Sequence, residues 1–169
     1  MAKTPEEGRF ADTAEHQLIA VFETHERARA ARDRLVDEGI PSSEMDILNR
    51  EETTGVTDAQ TTAGVWTALR RFFIPQGEAY GYAEGVNRGH AVLAVRPRFE
   101  ERERIVQILE SFEPIDFDAQ LEEWRAEGWA AGPHAAMPAE EDGLFGRRAD
   151  DLRSARVRGY VRDRPAPRP

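Results

Sequence analysis

Two stretches of the chain are apolar on consecutive positions, and they frame the rest. In His16 to Glu23 (HQLIAVFE), Leu18, Ala20 and Phe22 alternate with Ile19 and Val21. A strand with two apolar faces predicts a central position covered on both sides. His90 to Arg96 (HAVLAVR) repeats the pattern, with Ala91, Leu93 and Val95 alternating with Val92 and Ala94. Two shorter, mixed segments, Glu44–Leu48 and Ile115–Asp118, read as edge strands.

Helical spacing fills the gaps. Thr24 offers an N-cap, Ala28, Ala31 and Leu35 follow on one face, and Gly39-Ile40-Pro41 supplies a stop. Val65, Trp66, Leu69, Phe72 and Phe73 share one face of a short helix that must end before Pro75. Gly77–Gly89 predicts a second short helix. Pro97–Phe112 is amphipathic, with Ile105, Ile108, Leu109 and Phe112 on its apolar side, and Leu121–Glu127 closes the domain before Gly128-Trp129.

The order is β-α-β-(short helices)-β-α-β with a C-terminal helix, which predicts an α+β fold with a ferredoxin-like split β-α-β sheet. The first and third strands are expected as parallel neighbours at its centre, with the long helices on one sheet face. Residues 1–15 read as a disordered leader, 16–129 as the domain, and 130–169 as a mostly disordered tail rich in Pro and Arg. Within that tail, Ala155–Val161 alternates like a strand and suits a sheet edge on this or another molecule. Apolar residues left over on the second sheet face call for the 65–73 helix or a second copy, so a two-fold dimer is expected.

Charge and composition narrow the function classes. From Trp129 onward the chain has eight arginines and six acidic residues, which leaves 15 basic against 26 acidic residues before it. An acidic body disfavours nucleic acid, whose binding draws on phosphate neutralisation. The chain has no cysteine, which removes disulfides, thiolate metal sites and cysteine nucleophiles. No apolar run suits a membrane span and the polar N-terminus has no signal-peptide core, so a cytoplasmic place is expected.

Candidate chemistry is sparse. His16 and His90 open the two central strands, and with Glu15 or Glu84 they are weak candidates for a zinc or iron(II) site in a sheet-end cleft. Gly81, Gly85 and Gly89 recur every four residues, which suits close packing better than a phosphate loop, because neither GxGxxG nor a following Lys-Ser/Thr is present. Glu84 and Arg88 stand at ion-pair spacing. No catalytic residue and no cofactor is assigned.

Trp66-x-x-Leu69-x-x-Phe72-Phe73-x-Pro75, Tyr82-Ala-Glu84-Gly85 and Arg88-Gly89 together resemble the YflT-like general stress protein domain. Ile115-Asp-Phe-Asp118 with Trp124-Arg125 and Gly128-Trp129 is similar to that family's closing motif, and Ala155–Val161 looks like a fragment of a YsnF/AvaK-type strand pattern. The resemblance implies a bacterial stress-response module without an agreed activity. The motif residues Trp66, Phe72, Phe73, Tyr82, Glu84, Gly85, Arg88, Gly89, Trp124 and Trp129 are then expected in packing or at an interface. The expected function is non-enzymatic, through self-association or a protein partner; the alternative is a ligand-binding, metal-binding or enzymatic cleft near His16, His90 and Glu84.

Overall fold

The computed structural model of the protein describes residues 14–49, 72, 74–129, 147–149, 152, 154 and 156–163. In chain order they form β1 (Ala14–Phe22), α1 (His25–Asp37), β2 (Met45–Leu48), α2 (Gln76–Asn87), β3 (Ala91–Val95), α3 (Arg102–Ser111), α4 (Phe117–Ala126), β4 (Arg147–Arg148) and β5 (Val157–Asp163). Residues 1–13, the threonine-rich stretch, Trp66, Phe73 and much of the expected tail lie outside the described residues.

The strands form one sheet in the order β2-β3-β1-β5-β4. Every described pairing is antiparallel. The two doubly apolar strands are central neighbours, as their pattern requires, but they run in opposite directions. The expected parallel orientation is thereby corrected. β1 and β2 both pair antiparallel with β3, so they run the same way with β3 between them. A strand inserted between two parallel strands must oppose both of them to make the ladders seen here.

The sequence places the fourth strand at Ile115–Asp118, and the structure does not. Ile115 donates one backbone bond to Val21, 2.7 Å. The next residue, Asp116, caps α4 by accepting from the Ala119 N–H at 3.2 Å. A short apolar run can serve strand or helix, and here the capping carboxylate commits it to a helix beginning at Phe117. The strand beside β1 is β5, from the segment expected to be mostly tail, and the two pair along seven residue positions from Ala14↔Asp163 to Ala20↔Val157. The folded unit therefore extends past the expected 16–129 boundary at both ends.

Alternation along the strands separates two cores. On one face Leu18, Ala20, Phe22, Leu93, Val95 and Val157 meet Ala28, Ala31 and Leu35 of α1 and Ile105 and Leu109 of α3. On the other, Ile19, Val21, Val92, Ala94 and Tyr160 meet Ala79, Tyr82, Ala83 and Val86 of α2, Phe117 and Trp124 of α4, and Phe72 and Ile74. The second face is thus covered from within the chain, and the apolar exposure that would call for a dimer is absent among the described residues. α1 begins as its sequence predicts, with the Thr24 hydroxyl accepting from the Arg27 N–H at 3.2 Å.

Candidate binding cleft

α2 and α4 lie side by side over one sheet face, and their contact explains Gly81. A Cβ on Gly81 would come within 2.8 Å of a Leu121 methyl and 2.9 Å of the Phe117 ring, closer than side chains pack. At Gly85 the nearest atom would belong to Trp124, at an ordinary 3.5 Å. Gly89 serves the backbone instead. With φ at +96° it closes α2, and the His90 N–H reaches back to the Gly85 carbonyl at 2.9 Å.

The Trp-Arg-x-x-Gly-Trp motif is the same device built with aromatics. Gly128 has φ of +107°, its N–H bonds the Arg125 carbonyl at 3.0 Å, and the Trp129 N–H bonds the Trp124 carbonyl at 2.9 Å. This is a Schellman stop, in which the residue after the glycine packs on the residue five positions before it. Trp129 does so edge-on against Trp124, with centroids 6.1 Å apart.

Trp124 is also the hub of the upper flank. The Arg88 guanidinium lies 4.9 Å from its ring centroid, and the His90 ring stacks on it at 6.0 Å. Arg88 donates to Glu84 at 2.8 Å and to Glu127 at 2.9 Å. These two hydrogen bonds raise its pKa above the ordinary arginine value. Of the sequence-predicted motif residues, the structure brings Tyr82, Glu84, Gly85, Arg88, Gly89, Trp124 and Trp129 to this one flank, with Phe72 in the core beneath. Trp66 and Phe73 fall outside the described residues.

The lower flank joins Tyr82 to residues outside the motifs. The Tyr82 and Tyr160 hydroxyls are 2.7 Å apart, and the Tyr82 ring stacks on Phe117 with centroids at 4.5 Å. Tyr160 donates to Glu78 at 3.3 Å, and the buried Arg158 donates to the same carboxylate oxygen at 3.0 Å. Arg158 also pairs with Asp118 and lies 4.7 Å from the Phe117 centroid. Arg148 stands 3.6 Å from Glu78. Glu78, Asp118, Arg148 and Arg158 border an open cleft of about 490 Å³, completed by Gly81, Leu121, Glu122, Arg125 and Trp129.

Burial dominates the protonation states here. It pushes the Tyr82 phenol up to about 12, and it pushes Tyr160 well above its usual value, with Tyr82 and Glu78 adding to the rise. Burial works against the charge of Arg158, but the two phenols and Asp118 outweigh it, and the group is held above its ordinary value. At neutral pH the phenols are therefore protonated donors and Arg158 a fixed cation. Neutral phenols and a fixed guanidinium can donate hydrogen bonds to a bound group.

The metal candidates separate. Phe22 pairs with Ala91, so His90 stands beside the far end of β1 from His16. Six or seven residues of strand put them roughly 20 Å apart. His16 faces the Phe99 ring at 5.4 Å, whereas His90 is on Trp124. The expectation of one sheet-end cleft holding His16, His90 and Glu84 fails because it depends on parallel strands. Among the described residues no group of three or more His, Cys, Asp or Glu is placed to share a metal ion. No described helix is long and apolar enough to cross a membrane.

Sequence reasoning passes over Glu78, Asp118, Arg158 and Tyr160. The signal present is the alternation of 155–161, whose polar positions face the same side as Ile19 once β5 is paired. Comparison with known proteins gives no match to a protein-family model, a curated protein or a solved structure.

Proposed function

We propose that the chain is a non-enzymatic module of the bacterial general stress response that works by engaging a protein partner through its α2–α4 flank. The reading carries forward the motif resemblance and a ferredoxin-like interpretation of the sheet, in which both α1 and α3 pack on one face. The observation that supports it most is the gathering of Glu84, Arg88, Gly89 and Trp129 into one patch at the surface, around the buried Trp124. Arg88 is fixed by Glu84, Glu127 and Trp124, and Tyr80, His90 and Trp129 stand partly exposed beside it. Pre-ordered Arg, Tyr and Trp are the residue types on which protein contacts concentrate. The cytoplasm is the proposed place of action, in keeping with a cysteine-free chain.

A photo-crosslinking side chain at position 80, compared with one at the exposed Arg29 on α1, tests this in a bacterium producing the chain. Heat stress should yield a discrete protein adduct from position 80 and none from position 29, and Trp129→Ala should abolish it in a protein that remains folded. Equal labelling from both positions, or an adduct indifferent to Trp129→Ala, overturns the reading. Self-association is the other form of it: the adduct would then be a second copy, and sedimentation equilibrium would give twice the 19.1 kDa chain mass.

A further inference from the structure

The cleft below that flank has its own chemistry, independent of any protein partner. Three arginines from three elements border it: Arg125 of α4, Arg148 of β4 and Arg158 of β5. They differ in how far their charge is already used. Arg158 is 7% exposed and is fixed between Glu78, Asp118 and the Phe117 ring. Arg148 is 46% exposed, and its contact, at 3.6 Å, is to a Glu78 oxygen that Arg158 and Tyr160 already occupy. Arg125 is exposed and makes no ion pair among the described residues.

Asp118 is the informative group. Its side chain is 64% exposed, yet its carboxylate sits on a guanidinium that is almost wholly buried. It occupies the position an incoming anion would take. Asp118 can move into water only as the incoming anion takes its place, so the buried guanidinium keeps a partner throughout. The buried guanidinium stays in place when Asp118 leaves, because Phe117 and Glu78 hold it. That rigidity lowers the ordering cost of binding. Three arginines and three carboxylates line the cleft, and with Arg158 shared between Glu78 and the ligand, Arg125 and Arg148 face Glu122 and the displaced Asp118.

We propose that this cleft binds a small organic anion, a carboxylate or phosphate monoester with an apolar or ring-shaped body. Its anionic end sits between Arg125 and Arg148 over Arg158, displacing Asp118, and its body lies along Leu121 and Trp129. The volume of about 490 Å³ suits a ligand of this size. Guanidinium groups supply planar, paired donors that match carboxylate and phosphate oxygens.

Phenyl phosphate and benzoate are suitable probes, titrated into the full chain at low salt and followed by the indole N–H resonance of Trp129. Saturable binding of at least one is expected. Arg125→Ala and Arg148→Ala should each weaken it about tenfold, the loss of one charge-assisted contact. Asp118→Asn should tighten it, and the thermal midpoints of the arginine variants should stay near wild type because both side chains are exposed. Absence of saturable binding in both wild type and Asp118→Asn overturns the proposal. So does binding that ignores both arginine variants. Inorganic phosphate binding as tightly as phenyl phosphate overturns the organic-anion assignment.

Discussion

The two faces of the sheet are built from the same three long strands and by opposite means. The α1–α3 face is filled by Leu18, Phe22, Ala28, Ala31, Leu35, Leu93, Ile105 and Leu109, all 1% exposed or less. On the α2–α4 face the aromatic core of Tyr82, Phe117, Trp124 and Tyr160 encloses a carboxylate, a guanidinium and two phenols. The first face is stabilised by volume and shape, and a polar group there would have no partner. The second depends on each buried polar group having one. A protein that devotes one face to packing is free to specialise the other.

The sharpest break in this comparison comes from β5, because it feeds both faces. Truncation after Trp129 removes all seven β1–β5 residue pairs together with Val157, Arg158 and Tyr160. The shortened chain should show no cooperative thermal transition by circular dichroism, whereas the full chain should. A cooperative transition in the truncated chain would mean that β5 is an accessory strand.

Next come single changes on each face. Leu93→Ala should cost about 3 kcal/mol by cavity formation. Arg158→Met should cost a similar amount for a different reason, since it strands Glu78 beside the phenols. Denaturant unfolding separates the causes. Adding Glu78→Gln to Arg158→Met should recover part of the loss, and adding it to Leu93→Ala should recover none.

Alkaline titration affects one face alone. Tyr82 has a folded pKa of about 12 against the ordinary phenol value of 10.0. The unfolded chain therefore releases this proton first. Stability is complete below pH 10 and declines as pH rises toward 12. At about 1.4 kcal/mol per pH unit, Tyr82 alone accounts for up to about 3 kcal/mol, and Tyr160 acts in the same direction. Lys3 is the chain's single lysine and Tyr80 its third phenol, so a Tyr80→Phe background isolates the buried pair. The paired Tyr82→Phe, Tyr160→Phe variant should lose the slope while remaining folded at pH 7.

The smallest effect compares two glycines of one helix. Gly81→Ala should destabilise by about 1–3 kcal/mol through the overlap with Leu121 and Phe117. Gly85→Ala meets Trp124 at ordinary contact distance and gains helix propensity, so it should be neutral or stabilising by up to about 1 kcal/mol. Equal effects in thermal melts would remove the packing explanation for Gly81.

Local signals are legible wherever one residue type has one structural use. Thr24 capping α1 and the glycine stops at Gly39 and Gly128 follow from backbone chemistry that acts over a few residues. The double apolar faces of Leu18–Phe22 and Ala91–Val95 likewise require central strands. Direction is not legible, because an apolar strand reads the same beside a parallel or an antiparallel neighbour. A parallel reading brings His16 and His90 together, and the antiparallel register sets them at opposite ends of the sheet. The strand character of Ala155–Val161 is legible in its alternation, and it pairs with a sheet edge as expected, but which edge receives it is not legible, because an alternating segment reads the same beside any vacant edge. Once β1 accepts it, Ile19 stands opposite Arg158 and Gln17 opposite Tyr160. The network with Glu78, 80 residues away from Arg158, then forms. Charge partners so distant in sequence meet only through strand register, which tertiary structure alone decides.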